Sequence, residues 1–171
     1  PATVSFEVDG TVIVPGSTAG LPVMAVNIPE ADINVYRVKD EHVQDFFINY
    51  RKIARTSAWR FRNIRRANKL THTYTTRIET GDQNNRRNHV TVPLTALGDL
   101  SEPGIYFATI SRPGGFEFES ATWFSVSSIG LQLREYATSA QVIAQDLNNG
   151  QLLDGVDIKI LTTNAEVWAE G

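Results

Sequence analysis

Three histidines, His42, His72 and His89, are the side chains of this 171-residue chain best suited to bind a metal or to move a proton near neutral pH. Their separations of 30 and 17 residues match no compact zinc-ligand spacing, and there is no Cys to complete one. His72 and His89 are expected to face each other across a hairpin, a weak pair at best. Asp40, Glu41 and His42 are chain neighbours and cannot all converge on one reacting atom. Glu117 and Glu119 alternate with Phe116 and Phe118, so both carboxylates are expected on one solvated strand face rather than in an acid/base pair. Neither a Gly-x-Ser-x-Gly nucleophile turn nor a Gly-x-x-x-x-Gly-Lys phosphate loop occurs. These patterns predict a chain that is not an enzyme, with no catalytic residue, no metal and no cofactor.

The strongest chemical signal is charge. Between Arg51 and Arg87, eleven Lys and Arg are opposed by Glu79 and Asp82 alone, a local charge of +9 against -12 in the rest of the chain. Within this region Arg60, Arg62, Arg65 and Arg66 interleave with Trp59 and Phe61 and form a candidate docking patch. The leading partner is an acidic neighbouring module of the same parent. A plain solvated helix face, or contact with an anionic membrane surface or another polyanion, are the alternatives. Nucleic acid is not expected, because the whole chain carries -3 and no nucleic-acid-binding motif accompanies the patch.

The elements that must hold these residues read mostly as strands. Residues 3–14 alternate around Gly10 as a hairpin or one bulged strand, and residues 22–28 and 31–38 are two further strands. Asp40 fits a helix N-cap, and Val43, Phe46, Phe47 and Tyr50 then follow at i, i+3, i+4 and i+7, an amphipathic helix of about three turns. Residues 55–70 fit a helix or an irregular insert equally well. Residues 71–94 read as a hairpin with a polar tip at 81–88. Residues 105–110 and 116–126 are strands joined by the turn Arg112-Pro-Gly-Gly. Tyr106 stands just inside a strand after Pro103-Gly104, where its hydroxyl can bond back to the 97–102 backbone as in a tyrosine corner. Trp123 and Phe124 must point to opposite faces of a regular strand. One is expected in the core and the other against a neighbouring module.

After Ser127-Ser128 the alternation starts afresh at 131–136, 141–147, 156–161 and 166–169. A seven-stranded sandwich takes about 90–100 residues. The expected organisation is a β-sandwich over 1–127 with a basic insertion at about 40–70, and over 128–171 the start of a second, truncated module. No run of about 18 apolar residues is present. The chain opens on Pro1 rather than Met, so a longer parent is expected.

Pro103-Gly-Ile-Tyr-Phe-Ala-Thr-Ile110, Ala121-Thr-Trp-Phe-Ser-Val126, Ile129-Gly-Leu-Gln-Leu-Arg134, Asn149-Gly150 and Leu153-Asp-Gly-Val-Asp-Ile158, in this order and spacing, resemble the bacterial α2-macroglobulins. The resemblance covers residues 100–161; the 40–70 insertion matches no motif of that family. It implies antiparallel, fibronectin-III-like macroglobulin modules within a large protease inhibitor. Such proteins trap a protease after it cuts a bait segment, and many members carry a Cys-Gln thioester. With no Cys, no thioester forms in these residues. The resemblance therefore implies a non-catalytic scaffold segment. Its partners would be the neighbouring modules and, through the whole parent, target proteases. Its location would be the periplasm, with the parent anchored to the inner membrane by a lipid outside this stretch. The alternative is a sandwich binding or adhesion module that uses the basic insert directly.

Overall fold

Alternation of apolar and polar residues decides most of the architecture. A computed structural model describes residues 1–50, 58–81, 84–162, 164 and 166–171, with the backbone alone at 50 and 58–60. Its strands are β1 Thr3–Phe6, β2 Thr11–Ile13, β3 Gly20–Val26, β4 Glu30–Val38, β5 Leu70–Glu79, β6 Asn88–Pro93, β7 Gly104–Ser111 and β8 Ser120–Val126. They form a three-stranded sheet, β1-β3-β6, and a five-stranded sheet, β2-β8-β7-β4-β5. All pairings are antiparallel except β2 with β8. The expected mostly-β, antiparallel sandwich with a short helical insertion is what the chain forms.

Between the two sheets lies the main core. Val4, Leu21, Val23, Ala25 and Val92 enter it from the smaller sheet, and Ile33, Val35, Tyr106, Ala108, Ile110, Phe124 and Val126 from the larger. A second apolar cluster sits on the opposite face of the five-stranded sheet. There Tyr36, Val38, Ile105, Phe107 and Ala121 meet Phe46, Phe61 and Ile64 of the insertion. The middle of the larger sheet is thus buried on both faces, while its edge strand β5 stays largely exposed. That is why β7 is buried at every position from Ile105 to Ser111 instead of alternating.

The insertion begins as one helical run of mixed pitch: a 3-10 turn at Asp40–His42, α1 at Val43–Asp45 and a π turn at Phe46–Tyr50. It continues as α2, Ala58–Arg66. The expected Asp40 cap is not made. Lys39 holds the cap position, no side chain caps the turn, and the Asp40 carboxylate points back to Arg37 Nη2 at 2.9 Å.

Neither the hairpin or single bulged strand expected over residues 3–14 nor the hairpin expected over 71–94 forms. Residues 3–14 divide between the sheets: β1 pairs with β3 and β2 with β8, the chain turning through Gly10 at φ 72°. Residues 71–94 divide likewise, β5 lying beside β4 and β6 beside β3. The crossing is tied down at Thr80, whose N–H donates to the Pro29 carbonyl at 2.9 Å and whose hydroxyl donates to the Ile28 carbonyl. Alternation assigns faces but not partners, so either pairing satisfies the same pattern.

Beyond Val126 the chain forms two hairpins, β9 Ile129–Glu135 with β10 Ala140–Asp146, and β11 Lys159–Leu161 with β12 Val167–Glu170. The junction is hydrogen-bonded on both sides. Ser127 N–H donates to Ile13 O at 3.0 Å, and Leu147 N–H donates to Ser128 O at 2.8 Å.

Candidate docking surface

The helix α2 explains the basic patch. Phe61 and Ile64 lie one turn apart and point into the sheet, so Arg62, Arg65 and Arg66 are left on the solvent side. Arg60 lies on the same helix, but its side chain falls outside the described residues. Phe61 anchors the helix. Its ring stacks on Phe107 at 5.3 Å and meets Tyr36 and Phe118 edge-on at 5.2 and 5.1 Å. Arg65 lies over the Tyr36 ring, 5.9 Å from its centre. Arg62 Nη1 stands 3.7 Å from Glu117 Oε1, both side chains being more than half exposed. Such a pair is weak, because water screens it.

The outer face of the larger sheet changes character along β4. Toward Val38 it is apolar and covered by the insertion. Toward Glu30 it is polar. There Arg77 Nε donates to Asp32 Oδ1 at 2.7 Å, Gly114 N–H donates to Asp32 Oδ2 at 3.0 Å, and the Thr75 hydroxyl donates to Asn34 at 2.7 Å. The hydrogen bond from Arg77 holds the Asp32 carboxyl below the ordinary carboxylate range; burial opposes this, and the Gly114 N–H reinforces it. At the border of the two halves lies a hollow of about 120 Å³ lined by Asn34, Thr109, Ser111, Arg62, Arg65 and Phe118.

The histidines are dispersed. His72 stacks edge-on to Tyr36 on the larger sheet, while His89 on the smaller sheet contacts Glu7 at 3.0 Å. The expected His72–His89 pair therefore does not exist. Its two strands belong to different sheets. Among the described residues no group of three or more His, Asp or Glu is placed to hold a metal ion. Glu117 and Glu119 do not share a strand face either, because β8 starts only at Ser120. Glu117 turns to Arg62, whereas Glu119 accepts from Arg112 and from Val4 N–H at 3.2 Å.

Tyr106 donates its hydroxyl proton to Glu102 O at 2.9 Å, and its ring stacks on Phe124 at 5.5 Å in the core. Trp123 points the other way. It meets Phe46 and Phe47 edge-on at 6.0 and 5.5 Å, so it packs on the helical insertion of its own sandwich. Sequence reasoning missed Arg37. Its Nη2 donates to Pro103 O at 2.9 Å while also pairing with Asp40, linking β4 to the tyrosine corner and to the first turn of the insertion. A lone Arg at a strand end gives no such signal.

The family model of the bacterial alpha-2 macroglobulin MG2 domain matches residues 5–124, the span of the two packed sheets. The chain belongs to the bacterial alpha-2-macroglobulin family. It is 32% identical over 175 residues to the alpha-2-macroglobulin of Xylella fastidiosa strain 9a5c, covering 98% of this chain and 11% of that protein. To the alpha-2-macroglobulin of Escherichia coli K12 it is 27% identical over 176 residues, covering 98% and 10%. The chain thus spans about a tenth of the length of these curated relatives. Among solved structures it is similar to native E. coli alpha-2-macroglobulin spanning domains NIE-MG1. The TM-score is 0.76 at 26% identity, covering 99% of this chain and 81% of that one. It is also similar to trypsin-activated E. coli alpha-2-macroglobulin, with a TM-score of 0.77 at 25% identity, covering 98% and 11%. In the family this stretch is a macroglobulin-type domain within a larger multidomain chain.

Proposed function

We propose that the chain is a non-catalytic scaffold segment of a protease-trapping alpha-2-macroglobulin of the bacterial cell envelope. In this reading the parent resides in the periplasm, held at the inner membrane by a lipid outside these residues. Its contact with proteases is made by the whole parent. The segment's task is to transmit and keep geometry, so that a cut elsewhere repositions rigid blocks.

The observation that carries this reading is the junction at Ser127-Ser128, hydrogen-bonded to Ile13 on one side and to Leu147 on the other. A linker this short and this well bonded favours two units moving as one. Three of the acids are engaged structurally: Asp32 by Arg77, Asp45 by Lys69 and Glu119 by Arg112.

The test is a flexible Gly-Ser insertion after Ser128 in the full-length protein, followed by trypsin-inhibition assays on a protein-sized substrate. Expected is loss of inhibition with unchanged expression and unchanged cleavage of the parent by trypsin. Full inhibition by the insertion variant would remove the scaffold role. Turnover of peptide, ester or glycoside substrates by the purified 171-residue chain would replace it with a catalytic one.

A further inference from the structure

We propose that the hollow between α2 and residues 111–118 receives a short acidic segment from another part of the same long polypeptide. Arg62, Arg65 and Arg66 pair with its carboxylates, and Phe116 covers an apolar side chain between them. The inference rests on the scaffold role above and names one of its docking contacts.

Three guanidinium groups at i, i+3 and i+4 share one helix face and repel one another. Among the described residues, the one carboxylate within ion-pair distance of them is Glu117, at 3.7 Å from Arg62; Arg65 and Arg66 have none. The three side chains surround a concavity of about 320 Å³ open to solvent. Beside it Phe116 is fully exposed, its ring wholly in water. An exposed aromatic next to solvent-facing guanidinium groups combines two residue types that are enriched at protein–protein contacts.

The adjoining hollow fixes the chemistry of the occupant. Its lining includes Asn34, Thr109 and Ser111, which offer amide and hydroxyl hydrogens beside the Arg62 and Arg65 guanidinium groups, and Glu117, which limits it at about 120 Å³ to one polar side chain. Guanidinium forks match a carboxylate with two parallel hydrogen bonds. A long polyanion or an anionic membrane fits poorly, because the chain carries -3 overall and Glu117 stands on the rim. A short acidic stretch avoids that repulsion. A source within the same polypeptide is favoured because the curated relatives extend about nine-tenths beyond the matched region. Tethering supplies a high effective concentration to an otherwise modest contact.

The experiment titrates a fluorescein-labelled Asp-Glu-Leu-Glu-Asp peptide into the 171-residue chain, its Arg62→Gln/Arg65→Gln/Arg66→Gln variant and its Phe116→Ser variant. The Asn/Gln analogue of the peptide and phosphatidylglycerol vesicles serve as competing probes, and the full-length protein is measured alongside. Expected is salt-sensitive binding that weakens at least about tenfold in the triple variant, as for loss of close charge pairs. Phe116→Ser is expected to weaken binding while keeping its salt dependence, and the full-length protein, with its site already filled, to bind the peptide poorly. All the substituted side chains are solvent-facing, so equal melting temperatures are expected and confirm intact folds. Any one of four results overturns the proposal. The triple variant binds as well as the parent chain, the Asn/Gln analogue binds as well as the acidic peptide, vesicles outcompete the peptide, or the full-length protein binds the peptide as tightly as the 171-residue chain. Loss of this contact and loss of the scaffold role are separable, because the inhibition assay with the Ser128 insertion does not involve the arginines.

Discussion

The Tyr106 hydroxyl donates to the carbonyl oxygen of Glu102 at 2.9 Å, four residues back along the chain. The bond closes the corner by which residues 102–104 enter β7, and the ring below it lies flat on Phe124, 11° from parallel. One side chain thus fastens a loop to the core. Tyr106→Phe keeps the ring and removes the bond. The expected cost is about 1–3 kcal/mol, read from urea unfolding. Burial pushes the Tyr106 phenol above its ordinary value, and the nearby Arg37 guanidinium offsets part of that shift. A raised folded-state value means that the phenol's contribution is complete below about pH 10 and is lost as the pH rises through the folded value. Wild-type stability should fall on strong alkalinisation, and Tyr106→Phe should fall less steeply.

Gly10 and Trp123 are in close contact. Gly10 N–H donates to Trp123 O at 2.8 Å, and a methyl group at Gly10 would stand 2.7 Å from the indole ring. Gly10→Ala meets both this clash and a φ of +72°. Gly16→Ala meets a φ of +78° with nothing within 4 Å. The backbone term is about 1–2 kcal/mol in each. Gly10→Ala should therefore melt lower than Gly16→Ala, with an altered near-ultraviolet circular dichroism signal from Trp123 as it leaves Phe46 and Phe47.

The insertion is integral to the fold, because Phe61 is only 4% exposed and meets three aromatic rings. Phe61→Ala should cost about 3–5 kcal/mol in urea unfolding. A loss below about 1 kcal/mol, the size of a surface change, would mean that α2 is a detachable appendage.

Asp32 reports on the polar half of the larger sheet. The hydrogen bond from Arg77 depresses its folded-state value. Its contribution is therefore present above the unfolded value of about 3.9 and lost as pH falls through the lower folded value. Asp32→Asn removes it at every pH. Urea midpoints of wild type and variant should differ near neutrality and converge on acidification. A gap that stays constant would mean that the Asp32 charge contributes nothing.

Much of the strand pattern was legible because its determinants are local. Ala31, Ile33 and Val35 alternate toward the core as the pattern predicts, while Tyr36 and Val38 lie on the other face, under the insertion. Tyr106 could be read as a corner because Pro103-Gly104 and its acceptor are a few residues away. The mixed pitch around Phe46 was not legible, since the same i, i+3, i+4 pattern suits α and π turns that bury one apolar face. The docking surface was only half visible. Arg62, Arg65 and Arg66 stood out by charge, but Glu117, Phe116 and the hydroxyls of Thr109 and Ser111 come from a remote loop and strand.

The sequence by itself determined which side chains are apolar on each strand, where the turns fall, that no thioester can form in these residues without Cys, and that positive charge gathers between Arg51 and Arg87. Those follow from residue type and near-neighbour spacing. Tertiary structure alone decided that β1 and β2, and β5 and β6, part into different sheets, that His72 and His89 are separated, and that Trp123 packs on the insertion. Each of these depends on contacts between residues far apart in the chain. Period-two alternation states only that a face is buried, and it is the packing of the two sheets and the insertion that selects what buries it.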